Sequence, residues 1–512
     1  MKRIFHSILG TASAGMAALL LMTVLAGDAT AGAADSPIRL RLDDDIISLD
    51  PAHLAKPSDH AVAFNIFDGL IRLKAGSAEI EPNLAERWDL SADGRTYTFH
   101  LRKNIKWHKG YGLLTAHDFK YSFERIMDPK AKSRYRRFFA PVKQVEVVDD
   151  HTLRLELKYP YPSFLTGVLS FRPGWVVNRK AIEKLGPRYS TDPIGTGPFQ
   201  FVRWTRGSEV ALERNPAYYE PVRIHQAVFK VIRKDSVARV ALERGDLDAA
   251  YFLEGTTIKL IKENPQNLNV LTLPAYRTHW LGFNLRKKAL QDVRVRQAIL
   301  HATDKKALAA HLFFGYASVV HSIFNPNMAS YLNTDPNAFN PEKAKQLLKE
   351  AGHADGLNLK FLIYPSLGWP GIAAVLQEQW RRVGIHAEVV NTERSIYNRM
   401  RQKGEFDLIV VAISRVDADQ YAHPFLHSAN IPVPNYSAYR GADDLIDAAR
   451  KEVNDARRIA IYKQFQLRIA RDLPGFALVN VHYAVATRPS VRGLKPTFMD
   501  SYNVRDMYFS EK

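Results

Sequence analysis

Polar and apolar residues follow two spacings along the chain, and each spacing predicts a type of element. Residues 96–102 alternate between polar and apolar, as a half-buried strand does, and residues 142–148 and 153–157 predict a β-hairpin. Between these strands, Thr115 and Asp118 form a capping box ahead of apolar residues at helical spacing. This region therefore predicts strands and one helix of an α/β protein.

Strands and helices alternate from residue 228 onward, and one further helix is predicted near the start of the chain. Strands are predicted at residues 228–233, 247–252, 280–284, 359–364, 385–390 and 406–413. Helices are predicted at residues 61–70, 236–244, 292–298, 341–351, 372–383, 395–403 and 457–471. A strand–helix–strand unit implies parallel pairing and a right-handed crossover. We therefore predict an α/β fold with a mostly parallel sheet in the second half of the chain. Residues 479–486 should cross back to the lobe that the first part of the chain forms.

The N-terminus has the pattern of a secretory leader. Lys2 and Arg3 precede an apolar run at residues 8–26, and alanine-rich cleavage sites follow. We expect residues 1–33 to be removed on export. The alternative is an uncleaved membrane anchor, because the run is nearly long enough to span a bilayer. Small residues within the run favour cleavage.

The amino-acid composition and net charge limit the classes of function that the protein can have. The 512 residues are 46% hydrophobic and 24% charged, which are globular values, and they suggest two or three lobes. A formal charge of +18 suits anionic ligands, anionic lipid surfaces or nucleic acid, although a solvated basic surface is the explanation that the composition favours. Export argues against nucleic acid. The absence of cysteine excludes disulfides, a thiol nucleophile and a cysteine metal site.

Four sequence blocks follow one another in the first third of the chain. They are Pro-Asn-Leu-Ala-Glu-Arg-Trp (82–88), Asp-Gly-Arg-Thr-Tyr-Thr-Phe-His-Leu-Arg (93–102), Ile-Lys-Trp-His (105–108) and Thr-Ala-His-Asp-Phe-Lys-Tyr-Ser-Phe-Glu-Arg (115–125). In this order, the blocks closely resemble the bacterial extracellular solute-binding proteins of family 5, which are the peptide- and nickel-type receptors of ABC importers.

The resemblance implies a periplasmic-binding-protein-like α/β fold. Such a fold has two main lobes of mixed or parallel sheet with helices, an extra subdomain and a ligand cleft between the lobes. On this chain we place lobe I at residues 37–58, 191–275 and 480–512, the extra subdomain at residues 59–190, and lobe II at residues 276–479.

The same resemblance implies a function. The protein would be a monomeric receptor in the periplasm that closes its lobes over a peptide or peptide-like solute, including modified or anionic ones. It would deliver this solute to an inner-membrane ABC permease, with no enzymatic activity, no cofactor and no nucleic-acid partner. A metal-chelate or haem receptor of the same fold is the alternative within the family.

A secreted hydrolase is the alternative from another class. The chain has neither Gly-x-Ser-x-Gly nor His-Glu-x-x-His. His423 and His427 are four residues apart, as helical metal ligands can be, but Pro424 lies between them and no third ligand follows at a useful spacing. These histidines therefore indicate a core or surface role more readily than a metal site.

Candidate ligand-binding residues come from strand ends and from the resemblance. Ligands of open α/β sheets bind outside the carboxyl ends of the strands, where loops after two predicted strands supply aromatic and charged side chains. Similarity to the family adds the segment after Leu49-Asp50-Pro51. The candidates are Ala55, Lys56, Pro57, Tyr364, Trp369, Arg415, Asp417 and Asp419. We expect the ring of Trp369 to project over the crevice; packing within its loop is the alternative.

The loop after the strand at residues 406–413 departs from the family pattern. Ala412-Ile413 stands where the family has Gly-Trp. Peptide-binding relatives anchor the ligand's α-amino group with an acidic residue in this loop, and only Asp417 or Asp419 is available here. Arg415 suits a carboxylate or phosphate group. Either Arg415 and Asp417 contact the ligand, which favours an anionic solute, or they pair with each other.

Overall fold

The structure is a computed structural model that describes residues 36–510 except 76, 252, 266, 274–276, 335–337, 366–367, 496 and 498–500, so the predicted leader lies outside the described residues. The strands are β1 Ile38–Leu42, β2 Ile71–Leu73, β3 Ile80–Pro82, β4 Ala85–Leu90, β5 Thr96–Leu101, β6 Val142–Asp149, β7 Thr152–Leu157, β8 Phe199–Thr205, β9 Glu209–Arg214, β10 Gln226–Val231, β11 Ala249–Tyr251, β12 Asn269–Leu273, β13 Arg277–Phe283, β14 Ala317–Val319, β15 Leu357–Ile363, β16 Ile385–Asn391, β17 Leu408–Ser414, β18 Gly475–Val481, β19 Tyr483–Thr487, β20 Val491–Arg492 and β21 Tyr508–Phe509.

The α-helices lie between these strands and close the sheets on their faces. They are α1 Pro57–Ala63, α2 Ala116–Met127, α3 Arg179–Leu185, α4 Asp235–Arg244, α5 Gly255–Glu263, α6 Lys288–Gln291, α7 Val293–His301, α8 Lys305–Ala307, α9 Pro341–Glu350, α10 Trp369–Arg381, α11 Arg394–Lys403, α12 Asp419–Leu426, α13 Asp443–Lys451 and α14 Asp455–Asp472. Within the described part of the chain, no helix has both the length and the apolar character needed to cross a membrane.

Lobe I is built on a seven-stranded sheet in the order β12-β19-β11-β1-β10-β9-β8. The predicted strand–helix–strand unit is present as β10, α4 and β11, and it runs in the predicted parallel sense. However, β10 and β11 do not pair directly, because β1 lies between them and is parallel to both. The first strand of the chain thus completes a unit that begins nearly two hundred residues later.

Lobe II is built on a six-stranded sheet in the order β14-β18-β13-β17-β15-β16. β15 is parallel to β16 and β17, whereas β13 is antiparallel to β17 and β18. The sheet is therefore mixed, and our expectation of a mostly parallel sheet is wrong in this half. The chain returns to lobe I between β18 and β19, as predicted for residues 479–486.

A four-stranded antiparallel sheet, in the order β4-β5-β7-β6, covers one side of lobe I. The predicted strand and hairpin form three of its strands, and α2 packs on it. The predicted capping box begins α2, since Asp118 Oδ2 accepts a hydrogen bond from the Thr115 N–H at 2.9 Å. Side chains of this sheet share one hydrophobic core with lobe I, for example Phe99 and Phe229. The lobe and subdomain boundaries given above stay a prediction. Because of the shared core, we count the extra subdomain at residues 59–190 with lobe I wherever the two sides of the cleft are described below.

Two helices begin earlier than their hydrophobic spacing predicts. The helix expected at residues 61–70 is α1, which begins at Pro57, because Asp59 Oδ2 accepts the N–H groups of Ala55 and Lys56 at 2.8 and 2.9 Å. The helix expected at residues 372–383 is α10, which begins at Trp369. Its N-cap, Gly368, has φ +73, and proline occupies the second helical position, where it suits a first turn.

Candidate ligand-binding site between the lobes

A cavity of about 430 Å³ lies between the two lobes. Lobe I contributes Ala55, Pro57 and residues of the loops at 134–138 and 166–173. Lobe II contributes the carboxyl end of β17 and the loop that follows it, at residues 412–416. Both the cavity's position at a strand end and its two-lobed wall match the usual location of a ligand site in an open α/β protein.

Positive charge dominates the wall of this cavity. Six arginines line it, three from each lobe: Arg134, Arg137, Arg172, Arg277, Arg394 and Arg415. Among the described residues that line it, none is aspartate, glutamate, lysine or histidine. We call this space the arginine cavity.

The arginines of lobe I are held by backbone and aromatic contacts. Arg134 Nη1 donates to the Leu54 carbonyl at 3.2 Å. Arg137 and Arg172 each place the guanidinium over the adjacent phenylalanine ring, at 5.0 and 4.8 Å from its centroid. None of the three forms an ion pair with a carboxylate among the residues that the structure describes. Their charge is therefore not neutralised by the protein in this part of the chain.

The arginines of lobe II are held in a similar way. Arg415 Nη1 donates to the Ser414 carbonyl at 2.6 Å, and the Arg394 guanidinium lies 5.9 Å from the centroid of the Tyr364 ring. Burial lowers the pKa of Arg415 from its usual range, and the positive charges of Arg137 and Arg172 lower it further. Charges from both lobes thus act on one another across the cavity.

The first predicted segment contributes two of its three candidates. Ala55 and Pro57 line the cavity, and their contact with a ligand stays a prediction. Lys56 is not among the lining residues, because its ammonium group pairs with the Asp44 carboxylate and donates to the Asp45 carbonyl at 3.2 Å. Lys56 thus holds the start of α1 against the loop after β1.

Tyr364 and Trp369 pack inside lobe II. The Trp369 side chain is only 3% exposed, and its ring meets those of Tyr364 and Tyr397 at centroid distances of 4.6 and 6.0 Å. Neither residue is among those lining the arginine cavity. The expectation that the Trp369 ring projects over the crevice is wrong, because the helix begins at this residue and turns the ring into the core. Tyr364 touches the cavity wall through its ring, whose centroid lies 5.9 Å from the Arg394 guanidinium.

Asp417 connects the two lobes. Its carboxylate accepts hydrogen bonds from Ser163 Oγ at 2.6 Å and Thr166 Oγ1 at 3.1 Å, both in lobe I, and Arg458 Nη1 lies 3.5 Å away. Arg415 and Asp417 do not pair with each other. Asp417 is 7% exposed, so its charge is compensated by these partners and not by solvent.

Asp419 makes a second link beside the first. The Tyr161 hydroxyl of lobe I donates to Asp419 Oδ2 at 2.7 Å, and Arg450 Nε lies 3.1 Å from Oδ1. Gln420 Nε2 also donates to the Gly167 carbonyl at 2.8 Å. We call this set, Tyr161, Ser163, Thr166 and Gly167 with Asp417, Asp419 and Gln420, the interlobe contact. It borders the arginine cavity, because Thr166, Gly167 and Gln420 belong to both.

Burial in this contact raises the pKa of Asp419 to about 6, and the neighbouring Asp417 raises it too, while Arg450 and the Tyr161 hydroxyl act in the opposite direction. The folded protein therefore binds a proton here between about pH 4 and 6 that the unfolded chain releases. The sign follows from linkage: stability falls as pH rises through this window, by up to about 3 kcal/mol.

We expect Asp419→Asn to remove this part of the pH dependence. Urea unfolding of the wild type and the variant at pH 4.5 and 7.5 measures it. The midpoint of the wild type should fall more between the two pH values than that of the variant. Equal shifts would show that Asp419 keeps an ordinary pKa in the folded protein.

A smaller pocket of about 70 Å³ adjoins the arginine cavity, with which it shares Leu73, Ser170 and Phe171. The His60 ring lies in its wall, stacked on Trp175 at 5.2 Å, and neither ring nitrogen has a hydrogen-bond partner within the described part of the chain. Burial, with a smaller contribution from Arg172, keeps the pKa of His60 well below its usual range. His60 is therefore neutral.

A larger depression of about 640 Å³ lies on lobe II alone, at the amino ends of β15 and β16. One lobe forms its whole wall, so movement of the lobes cannot enclose a solute there. His423 and His427, considered above for a hydrolase, have ring centroids 4.9 Å apart. The described residues hold no cluster of three or more metal-ligating side chains around them or elsewhere. Neither feature competes with the arginine cavity as a ligand site.

Most of the arginines in the cavity were not among our candidates. Arg394 lies just after β16, so the strand-end rule could have found it. Arg277 begins β13, and it reaches the cavity because β13 is antiparallel to β17 and places Arg277 opposite Ser414. Arg134 and Arg137 belong to a basic and aromatic run, Arg-Tyr-Arg-Arg-Phe-Phe, that carries no positional signal by itself. Nothing in the sequence places Arg172 near them.

Comparison with known proteins agrees with this geometry. The chain is 29% identical over 462 residues to the dipeptide-binding protein of Escherichia coli (strain K12), covering 84% of this chain and 86% of that one. It is 28% identical to heme-binding protein A of Haemophilus influenzae, covering 85% of each. The solved structure of the PBP/SBP MoaA in complex with mannopinic acid from A. tumefaciens R10 superposes with a TM-score of 0.80 at 27% identity, covering 93% of this chain and 99% of that one.

The family assignment rests on the middle of the chain. Residues 79–432 match the model of the bacterial extracellular solute-binding proteins, family 5 Middle, which covers more than half of the sequence and includes the four blocks described first. The fold predicted from these blocks is confirmed by the superposition. The chain belongs to the bacterial extracellular solute-binding proteins of family 5.

Proposed function

We propose that this protein is the periplasmic receptor of an ABC importer, which binds a peptide or peptide-like solute between its lobes and presents it to an inner-membrane permease. The arginine cavity carries this proposal, because its wall is divided between the lobes. Closing such a wall surrounds the solute, and opening it releases the solute. The solute contacts would come from Ala55, Pro57 and Arg415 among our candidates.

Relatives support the class of solute. Two proteins of similar sequence are named for binding dipeptides and heme, and a similar structure holds mannopinic acid. The arginine cavity is lined without histidine or carboxylate among the described residues, and these are the commonest side-chain ligands of metal ions and haem iron. The hydroxyl of its tyrosine, Tyr135, already donates to the Leu54 carbonyl at 2.6 Å. A peptide-like organic solute therefore fits this cavity better than either metal-containing one.

The proposed setting follows from the family and the leader. A protein exported with removal of residues 1–33 meets its solute in the periplasm as a free monomer. Its partner is then a permease, and binding leaves the solute chemically unchanged. This is the property that separates the receptor from the hydrolase.

A panel of short peptides, free and N-acetylated, tests the proposal on the purified mature protein. We expect at least one peptide to raise the melting temperature by mass action and to reduce the radius of gyration in solution scattering. Mass spectrometry after long incubation should recover that peptide intact. A cleaved peptide, formed by the wild type and not by Arg415→Gln, would contradict the receptor and support the hydrolase.

A further inference from the structure

Among the described residues that line it, the arginine cavity has six arginines and no aspartate or glutamate. Arg134, Arg137, Arg172, Arg394 and Arg415 form no ion pair with any carboxylate that the structure describes. A concave site lined by charge of one sign focuses the field and concentrates ions of the opposite sign. The wall of the cavity therefore has the chemistry of an anion site.

The positive charges come from opposite sides of the cleft. Arg415 of lobe II is close enough to Arg137 and Arg172 of lobe I for their charges to disfavour its own. Bringing the lobes together brings these like charges together, which costs free energy. An anion between the lobes makes the electrostatic free energy of closure favourable, since each guanidinium then faces a negative group.

One arginine also has a donor without a partner among the described residues. Arg172 Nε is buried, and no residue in that part of the chain accepts a hydrogen bond from it. Buried polar groups in folded proteins nearly always have a partner, because an unpaired donor costs free energy. A carboxylate or phosphate oxygen in the cavity would supply the acceptor, and the planar guanidinium suits either group.

The site offers no carboxylate to a ligand ammonium group. Asp417 is bound by Ser163 and Thr166, and Asp419 is bound by Tyr161. Both lie in the interlobe contact, and neither lines the cavity. An α-amino group in this space would face only neutral acceptors and would be repelled by the arginines.

We propose that the solute carries at least two anionic groups, carboxylate or phosphate, one facing each lobe, and that it has no free ammonium group. An amine-blocked acidic peptide or a comparable polyanionic, peptide-like compound has this chemistry. The inference rests on the proposed receptor function and specifies the solute of the same cavity. The anion then also favours closure, because it neutralises the repulsion between the lobes.

Thermal melting with small anions tests the inference on the full mature chain. The probes are citrate and pyrophosphate, with sodium chloride at matched ionic strength as the reference. The double variant Arg172→Gln, Arg415→Gln removes one cavity charge from each lobe. The matched control Arg206→Gln, Arg382→Gln removes two exposed arginines that do not line the cavity.

We expect one or both anions to raise the melting temperature of the wild type and of the control beyond the chloride reference. In the cavity double variant, the half-saturating anion concentration should rise at least roughly tenfold, because buried charge-assisted contacts are lost. Without anion, this variant should melt no lower than the wild type, since the repulsion is reduced. Tighter binding of citrate identifies carboxylate recognition, and tighter binding of pyrophosphate identifies phosphate recognition.

Two results would overturn the inference. The first is that neither anion raises the melting temperature beyond the chloride reference. The second is that the control double variant loses as much anion affinity as the cavity double variant, because the effect would then come from general surface charge. If a peptide with a free amine closes the lobes and neither anion stabilises the protein beyond chloride, the receptor function is supported and only the proposal of a polyanionic solute is wrong. If no peptide and no anion closes the lobes, the receptor function itself fails.

Discussion

Removing the lobe I half of the interlobe contact should open the receptor without unfolding either lobe. The triple variant Tyr161→Phe, Ser163→Ala, Thr166→Val deletes the hydroxyl groups that donate to Asp417 and Asp419 at 2.7, 2.6 and 3.1 Å. Hydrogen bonds to charged groups contribute about 1.5–3 kcal/mol each. The closed fraction, and with it the apparent affinity, should therefore fall roughly hundredfold or more.

Spin labels can measure this closure directly. The chain has no cysteine, so Lys130→Cys and Lys349→Cys, both at exposed positions, carry the only labels. With the peptide or anion that stabilises the wild type most, the wild type should show the shorter interlobe distance and the triple variant the longer one.

The control makes the same chemical changes outside the contact, as Tyr111→Phe, Ser190→Ala, Thr191→Val. This control should close like the wild type, and circular dichroism should show that all variants are folded. If the triple variant closes as completely as the wild type, the contact does not hold the lobes together. The affinity would then depend on the cavity alone.

Replacing Trp369 with alanine should destabilise lobe II and not the ligand contacts. The ring is 3% exposed and packs on Tyr364 and Tyr397. Truncating a buried aromatic side chain costs about 3–5 kcal/mol, because transfer free energy is lost and a cavity remains. Urea unfolding followed by circular dichroism measures this loss.

Trp88→Ala provides the comparison for Trp369→Ala. Trp88 is half-buried on β4, so its truncation should cost clearly less. A Trp369→Ala protein with wild-type stability and strongly reduced solute affinity would contradict this account and show that Trp369 contacts the solute.

Trp369 shows why the sequence misplaced an aromatic candidate. The apolar spacing begins at Ile372, which suggested that Trp369 belongs to a loop. Two features of the backbone accompany the start of the helix at Trp369: Gly368 at φ +73 and proline in the first turn. Hydrophobic spacing does not detect a first turn of this kind, so the predicted position of the ring followed from a boundary error of three residues.

Strand ends and helix caps, in contrast, were predictable where local chemistry determines them. The capping box at Thr115 and Asp118 and the alternation along β5 both depend on neighbours a few residues away. The order of strands in lobe I does not, since β1 pairs with residues nearly two hundred positions later. Local rules therefore gave the elements, and the family resemblance gave the two-lobed arrangement.

The site shows the same difference between features that local sequence determines and features that depend on distant residues. The loop that contains Arg415 and Asp417 was located from a strand end, and the structure places Arg415 in the cavity wall. The partners of Asp417 lie about 250 residues earlier, at Ser163 and Thr166, and no spacing in the sequence connects them. The sequence therefore located charged residues near the cleft, but it could not say which face the solute and which face the other lobe.

Native mass spectrometry tests the central claim most directly. The protein is purified without a refolding step from cells that export it. We predict that a small solute stays bound, is released intact on denaturation, and carries at least two carboxylate or phosphate groups and no free amine. A bound haem or metal chelate, or a plain peptide with a free α-amino group and no second anionic group, would contradict the account of the arginine cavity.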